Sequence, residues 1–377
     1  MATVRQATHA GSWYSSSRTE LDQQLTLWLN QFKAESEFDT PVRSCKAIIA
    51  PHAGYAYSGP TAAWAYGNRV FVLGPSHHVY LKGCALTQCQ EYQTPLGNIP
   101  IDTDTVNELR NTGKFTTMDI DTDQDEHSIE MHLPYIRKIF QGRNDVKLVP
   151  ILVGSLTLQL EQMYGNVLKS FLKSNKTLFI VSTDFCHWGS RFSYQFYLPP
   201  SIKLDDDDDQ NLVTKPFDIN TLNKSSGYML QKTNLPFQER KVWESIQVLD
   251  KLGMRACMFQ DSTPPPQQQQ TNESIQTHKN IVNMKDFVTH LKQQDQSTKK
   301  ANQSVLEFQH YLKMTRNTIC GRHPIGLLLC TVASLQDQEW IDNNVCLKWT
   351  RYEQSSQCLD WIRDSSVSYA SGIVCVE

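Results

Sequence analysis

Four short runs of β-branched and apolar residues recur through the first half of the chain: Ala47 to Ala50 (AIIA), Val70 to Leu73 (VFVL), Leu148 to Val153 (LVPILV) and Leu178 to Ser182 (LFIVS). Their length and composition are those of buried strands. Helical patterns lie between them. Leu21, Leu25, Trp28 and Leu29 keep one face, and Leu158 to Leu172 forms a second amphipathic stretch ahead of LFIVS. This alternation predicts an α/β protein: a single domain with a largely parallel central sheet flanked by helices.

The second half changes texture. Asp205 to Asp209 is an unbroken acidic run, and Pro264 to Gln270 reads PPPQQQQ inside a polar stretch. Such compositions bury too little apolar surface to offset the entropy of ordering. They are expected to be surface insertions, at 199–215 and 262–302, in one domain spanning 1–377. Between them Val242, Trp243, Ile246, Leu249 and Leu252 keep helical spacing, and the closing SSVSYASGIVCVE ends in a run suited to a strand.

Several function classes are disfavoured by composition. A formal net charge of -3 over 377 residues gives no electrostatic reason to expect nucleic acid or an anionic membrane as partner. No segment approaches the length of a membrane span, and MATVRQATHAGSWYSSS lacks the apolar core of a secretory signal. A cytoplasmic protein is expected, with the nucleus also open to it. The ten cysteines include no C-x-x-C pair, which suggests neither a zinc finger nor a disulfide framework. Most should pack as small hydrophobes in reduced form, Cys186 among them.

Histidine placement is the most informative feature. His52 follows AIIA in APHAGYAYSGP, His77 and His78 follow VFVL in LGPSHHV, and His187 follows LFIVS in STDFCHWG. Three strands each deliver an imidazole just past their carboxyl ends, where α/β sheets place their ligand crevice. A single histidine of this kind is more often structural than functional; three in one context point to a site, provided the strands are neighbours. Pro51, Gly54, Gly74, Pro75 and Gly189 favour rigid loops around them. Asp184, three residues before His187, can fix its tautomer or cap a helix. DEHSIEMHLPY (Asp125 to Tyr135) lacks the H-E-x-x-H pattern of a zincin. It reads as a helix start burying Ile129, Leu133 and Ile136, or as the source of His127 or Glu130 at the site's flank. In NTICGRHP, Cys320 lies just before an apolar helix with Arg322 and His323 nearby, a setting that favours thiolate, although a buried cysteine in a turn fits equally.

Together APHAGYAYSGP, LGPSHH, DEHSIEMHLPY, STDFCHWG, NTICGRHPIG and the closing DSSVSYASG resemble the Memo family, whose fold is similar to the class III extradiol, LigB-type non-haem iron dioxygenases. The resemblance covers most of the chain outside the two insertions. It implies that His52, His77 and Cys320 are metal ligands, with Asp184 and His187 beside them as catalytic groups, and it selects His77 over His78. In the dioxygenases the third ligand is a carboxylate; a cysteine in its place favours copper, keeps iron open, and argues against ring cleavage. The resemblance also implies metal-dependent redox chemistry and a role in signalling of cell motility or invasive growth, with a signalling or cytoskeletal protein as partner. Only Gly67, Asn68 and Arg69 separate Tyr66 from Val70, fewer than the family pattern leads one to expect, so a shifted His77 loop is anticipated. Two other readings compete. One is a non-catalytic adaptor that binds a peptide or small anion through Arg191, Arg322, Trp13, Tyr55 and Trp188; the other is a thiol enzyme pairing Cys320 with His187.

Overall fold

The computed structural model describes residues 2–35, 45–55, 69–143, 145–202, 219–259, 300–336 and 345–376. The main sheet contains β1 (Cys45–Ala50), β2 (Arg69–Pro75), β3 (Cys84–Leu86), β4 (Phe115–Thr117), β5 (Lys147–Val153), β6 (Thr177–Ser182), β7 (His187–Trp188), β8 (Val345–Gln354) and β9 (Ser366–Val376). Their order is β7-β9-β1-β6-β2-β5-β3-β4, and β8 also pairs with β9.

The four apolar runs are the four strands at the centre, β1-β6-β2-β5, all mutually parallel. Their side chains are buried on both faces, which is why they read as unbroken apolar runs rather than as alternation. Antiparallel strands flank this core: β9, the expected closing strand, on β1, and β3 on β5. Strands β1, β6 and β2 are adjacent, so their carboxyl ends open on one edge and the three histidine loops share it.

Helices cover the sheet. Phe71 of β2 stacks on Phe179 of β6 at 4.5 Å between ring centroids and meets Phe171 of the helix Leu158–Lys173 at 5.3 Å. The helix Arg322–Gln336 crosses that helix at Gly165, where any Cβ would lie 2.8 Å from the Cys330 carbonyl carbon. The pattern at Leu21 to Leu29 lies in the helix Arg18–Glu35, and that at Val242 to Leu252 in the helix Val242–Cys257. DEHSIEMHLPY forms two short helices, His127–Glu130 and Leu133–Ile139, with Ile129, Leu133 and Ile136 buried as expected.

Most of the two proposed insertions, at 203–218 and 260–299, lies outside the described residues, as do Gly67 and Asn68. Arg69, the third residue of that short connection, opens β2 in register with Thr177 and Lys147. No helix among the described residues is long and apolar enough to cross a membrane.

Candidate metal centre

The loop after β1 buries His52. Its Nδ1 lies 2.7 Å from the Ser182 hydroxyl at the end of β6, and that hydroxyl donates its only proton to the Ser128 carbonyl at 2.7 Å. Ser182 is therefore left to accept from Nδ1–H, and the lone pair of His52 sits on Nε2. Nε2 faces the Cys320 sulfur at 3.3 Å. Around a tetrahedral ion with N and S ligands at their usual lengths, those atoms would be about 3.5 Å apart, so this pair is already spaced for a shared metal.

His77 is held in a similar way. Its Nδ1 lies 2.8 Å from Glu126 Oε1, and its backbone N–H donates to Oε2 at 2.7 Å. Burial acts to raise the Glu126 carboxyl, but the His77 hydrogen bonds and charge and the Ser128 N–H hold it at about 2. An ionised carboxylate on Nδ1 leaves Nε2 of His77 as the free donor, the outer arrangement of metal-binding histidines generally. The rings of His52 and His77 are 5.1 Å apart, so the short connection before β2 does not take His77 away from the site.

Cys320 is set by the turn before the helix Arg322–Gln336. Its sulfur accepts the Asp184 N–H at 3.1 Å and lies 3.4 Å from the Asp184 carbonyl oxygen. Gly321 permits this approach, because any side chain there would collide with Thr183 and the Ser182 carbonyl. The expectation of a favoured thiolate does not hold for the free thiol. Loss of solvation, then the Asp184 charge, pushes it well up. The two basic residues meant to help have other partners: Arg322 donates to the Ile319 carbonyl and His323 pairs with Glu161 at 3.1 Å.

Asp184 and His187 stand beside these donors, but not as a pair. His187 Nδ1 donates to the Phe185 carbonyl within its own turn at 2.9 Å, leaving Nε2 for the cleft. Asp184 instead accepts the His52 N–H at 3.0 Å, with its other oxygen 3.8 Å from His52 Nε2. The D-F-C-H turn thus sends its carboxylate to the neighbouring strand's loop, where unpaired amides need an acceptor. Burial raises Asp184 to about 7 against the pull of those amides. Cys186 is fully buried, as expected.

Among the described residues, donor atoms within 4.8 Å of one another form two sets that share His52: His52, His77 and His127, and His52, Asp184 and Cys320, so His77 and Cys320 do not fall in one set. His127 thus approaches from the flank, while Glu130 turns away toward Arg5, His9 and Tyr14. A cleft of about 450 Å³ opens beside them, lined by Ser76, His77, His187, Phe192, Thr318 and Cys320 together with Tyr80 and Arg322. Of the aromatics weighed for an adaptor, Tyr55 and Trp188 are core residues bonded to the Met131 and Phe196 carbonyls. Trp13 is partly exposed and packs at a tilt against His127, and Arg191 lies over Phe192.

Sequence reasoning overlooked what holds this site. Glu126 is given no role by the sequence, and Ser182 is only the end of a strand; a polar residue closing a buried apolar run was the available signal. Arg5, with no exposed surface, donates to Glu130, to Asp123 and to the Gln124 and Glu126 carbonyls, and so clamps the segment that bears Glu126 and His127. Nothing in the residues around it marks that role.

Glu130 gives this clamp a pH dependence. Burial opposes its ionisation, yet His9 and Arg5 hold it at about 2, below its ordinary 4.5. A depressed carboxylate contributes stability that is present above the unfolded value and lost as pH falls from 4.5 toward 2. Urea midpoints are expected to drop more steeply between pH 5 and pH 3 in the wild type than in Glu130→Gln. Equal slopes would contradict the assignment.

Comparison with known proteins bears on the whole chain. The Memo-like protein family model matches residues 5–373. Protein MEMO1 of Xenopus laevis is 38% identical over 383 residues, covering 100% of this chain and 98% of that protein. Protein MEMO1 of Homo sapiens is 37% identical over 380 residues, covering 99% and 97%. The MEMO1 family protein MHO1 of Saccharomyces cerevisiae is 33% identical over 394 residues, covering 99% of each.

Proposed function

The chain belongs to the Memo family, and on that premise we propose that it is a metal-dependent oxidoreductase whose copper or iron is held by His52, His77 and Cys320. The observation that carries this reading is the 3.3 Å approach of the Cys320 sulfur to a His52 nitrogen whose lone pair is fixed toward it by Ser182. A bound copper or iron ion would supply one-electron chemistry there. Two imidazoles and a thiolate suit copper best, Cu(I) included, and leave iron open.

The protein's own groups supply the rest. His187, kept neutral by burial and with Nδ1 tied to Phe185, presents Nε2 to the cleft as a proton acceptor. Asp184 steadies the His52 loop rather than His187. The cleft's mixed polar and aromatic walls suit a small substrate with both characters.

The family resemblance to extradiol dioxygenases suggests oxygen as the oxidant, and the thiol in place of a carboxylate argues against ring cleavage. The same resemblance leads us to place the activity in signalling of cell motility or invasive growth, through a protein partner. A reducing compartment, cytoplasm or nucleus, agrees with ten cysteines that form no disulfide.

Metal analysis of the purified protein, followed by oxygen-consumption assays, tests the reading. Stoichiometric copper or iron, lost in His52→Ala, is expected together with metal-dependent oxygen uptake. A chain that takes up neither metal after anaerobic reconstitution would refute it.

A further inference from the structure

We propose that His127 is a third imidazole ligand, so that the site offers a metal ion two overlapping positions: three imidazoles from His52, His77 and His127, or the thiol set of His52, Cys320 and Asp184. This rests on the reading of a metal site around His52 and refines its ligand set, because His77 and Cys320, taken together as ligands above, fall in different donor sets.

Geometry carries the inference. The three imidazole donors lie within 4.8 Å of one another, as do the three donors of the thiol set, and His52 is common to both. The rings of His77 and His127 are stacked, with centroids 4.4 Å apart and planes at 24°, so their nitrogens run side by side. His52 stands nearly perpendicular to both, at 5.1 Å and 5.4 Å. On its far face His127 packs against Trp13 at 4.5 Å, and Glu126 Oε1, which binds His77, lies 3.6 Å from His127 Nδ1. A ring held between an aromatic wall and a carboxylate has the fixed orientation that ligating imidazoles share.

The two sets differ in softness. Imidazole nitrogens suit divalent ions such as Co(II) and Zn(II), whereas thiolate selects Cu(I). The thiol position also replaces two imidazoles by a sulfur and a carboxylate. One chain thus provides a nitrogen-only position and a sulfur-containing position around one shared histidine, and the ion's own chemistry selects between them.

X-ray absorption of the full chain, loaded anaerobically with either Co(II) or Cu(I), reads both positions. With Co(II), three imidazoles and no sulfur are expected; with Cu(I), a sulfur ligand is expected. His127→Gln should weaken Co(II) binding by at least about tenfold while leaving Cu(I) binding within about threefold. Sulfur in the Co(II) shell, or unchanged Co(II) affinity and imidazole count in His127→Gln, overturns the proposal. If His127→Gln fails to fold, the imidazole count of the wild type with Co(II) still decides. A wild type that binds neither ion defeats the metal-site reading as well; one that binds Cu(I) through Cys320 but is indifferent to His127 defeats only this inference.

Discussion

Replacing Cys320 with serine is expected to weaken Cu(I) binding by at least about a hundredfold, because it removes the only soft donor among the residues that meet at His52. Serine nearly matches cysteine in size and can still accept the Asp184 N–H that the sulfur accepts at 3.1 Å. The loss should therefore fall on the metal and not on the fold, and urea unfolding should move by less than about 1 kcal/mol. What remains for the ion is imidazole nitrogen from His52, with His77 beside it, and the oxygens of Asp184 and the new hydroxyl, none of them a soft donor. Competition against a Cu(I) chelator, with unfolding measured in parallel, separates the two effects. Undiminished Cu(I) affinity in Cys320→Ser would remove sulfur from the site.

Arg5→Ala is expected to cost about 3–5 kcal/mol of stability, the range for stripping one partner from a buried ionic group. The guanidinium is fully buried and lies 2.6 Å from Glu130 and 3.1 Å from Asp123. Asp123 also accepts from Thr87 and Tyr92, and Glu130 from His9 and Tyr14, so both carboxylates remain buried after the change with too little positive charge near them. Burial already lifts Asp123 above its ordinary value even with Arg5 present. Restoring neutrality by adding Asp123→Asn and Glu130→Gln should recover part of the loss. The same clamp fixes the carbonyls of Gln124 and Glu126, so Arg5→Ala should also lower metal affinity in whatever fraction stays folded. A loss below about 1 kcal/mol would show that the segment holds itself.

The strand ends were legible in the sequence because two-sided burial writes an unbroken apolar run, and the residues just past such a run sit at the crevice. That is why the loops bearing His52, His77 and His78, and His187 could be placed from the residues alone, with only the choice of His77 over His78 left to the family resemblance, and why their convergence needed only the adjacency of β1, β6 and β2. Side-chain direction was less legible. Cys320, Arg322 and His323 are neighbours in sequence, yet the helix start turns His323 to a glutamate on another helix and leaves the thiol facing His52. Asp184 was matched to the nearer imidazole along the chain, whereas the open amides lay across the sheet on the His52 loop. Contacts between distant segments, such as Arg5 to Glu130, leave no periodic trace and appear only when the chain is folded.

His52 and Cys320 are 268 positions apart, yet their donor atoms touch. A ribosome adding roughly 5–20 residues each second needs from about ten seconds to nearly a minute to travel between them. During that interval the early imidazoles are exposed without their sulfur, and β9, the strand that pairs with β1, is still to be made. The imidazole donors and the thiol would therefore come into being at different times: His52, His77 and His127 all lie in the first half of the chain, whereas a position that includes Cys320 can exist only once the chain is nearly complete.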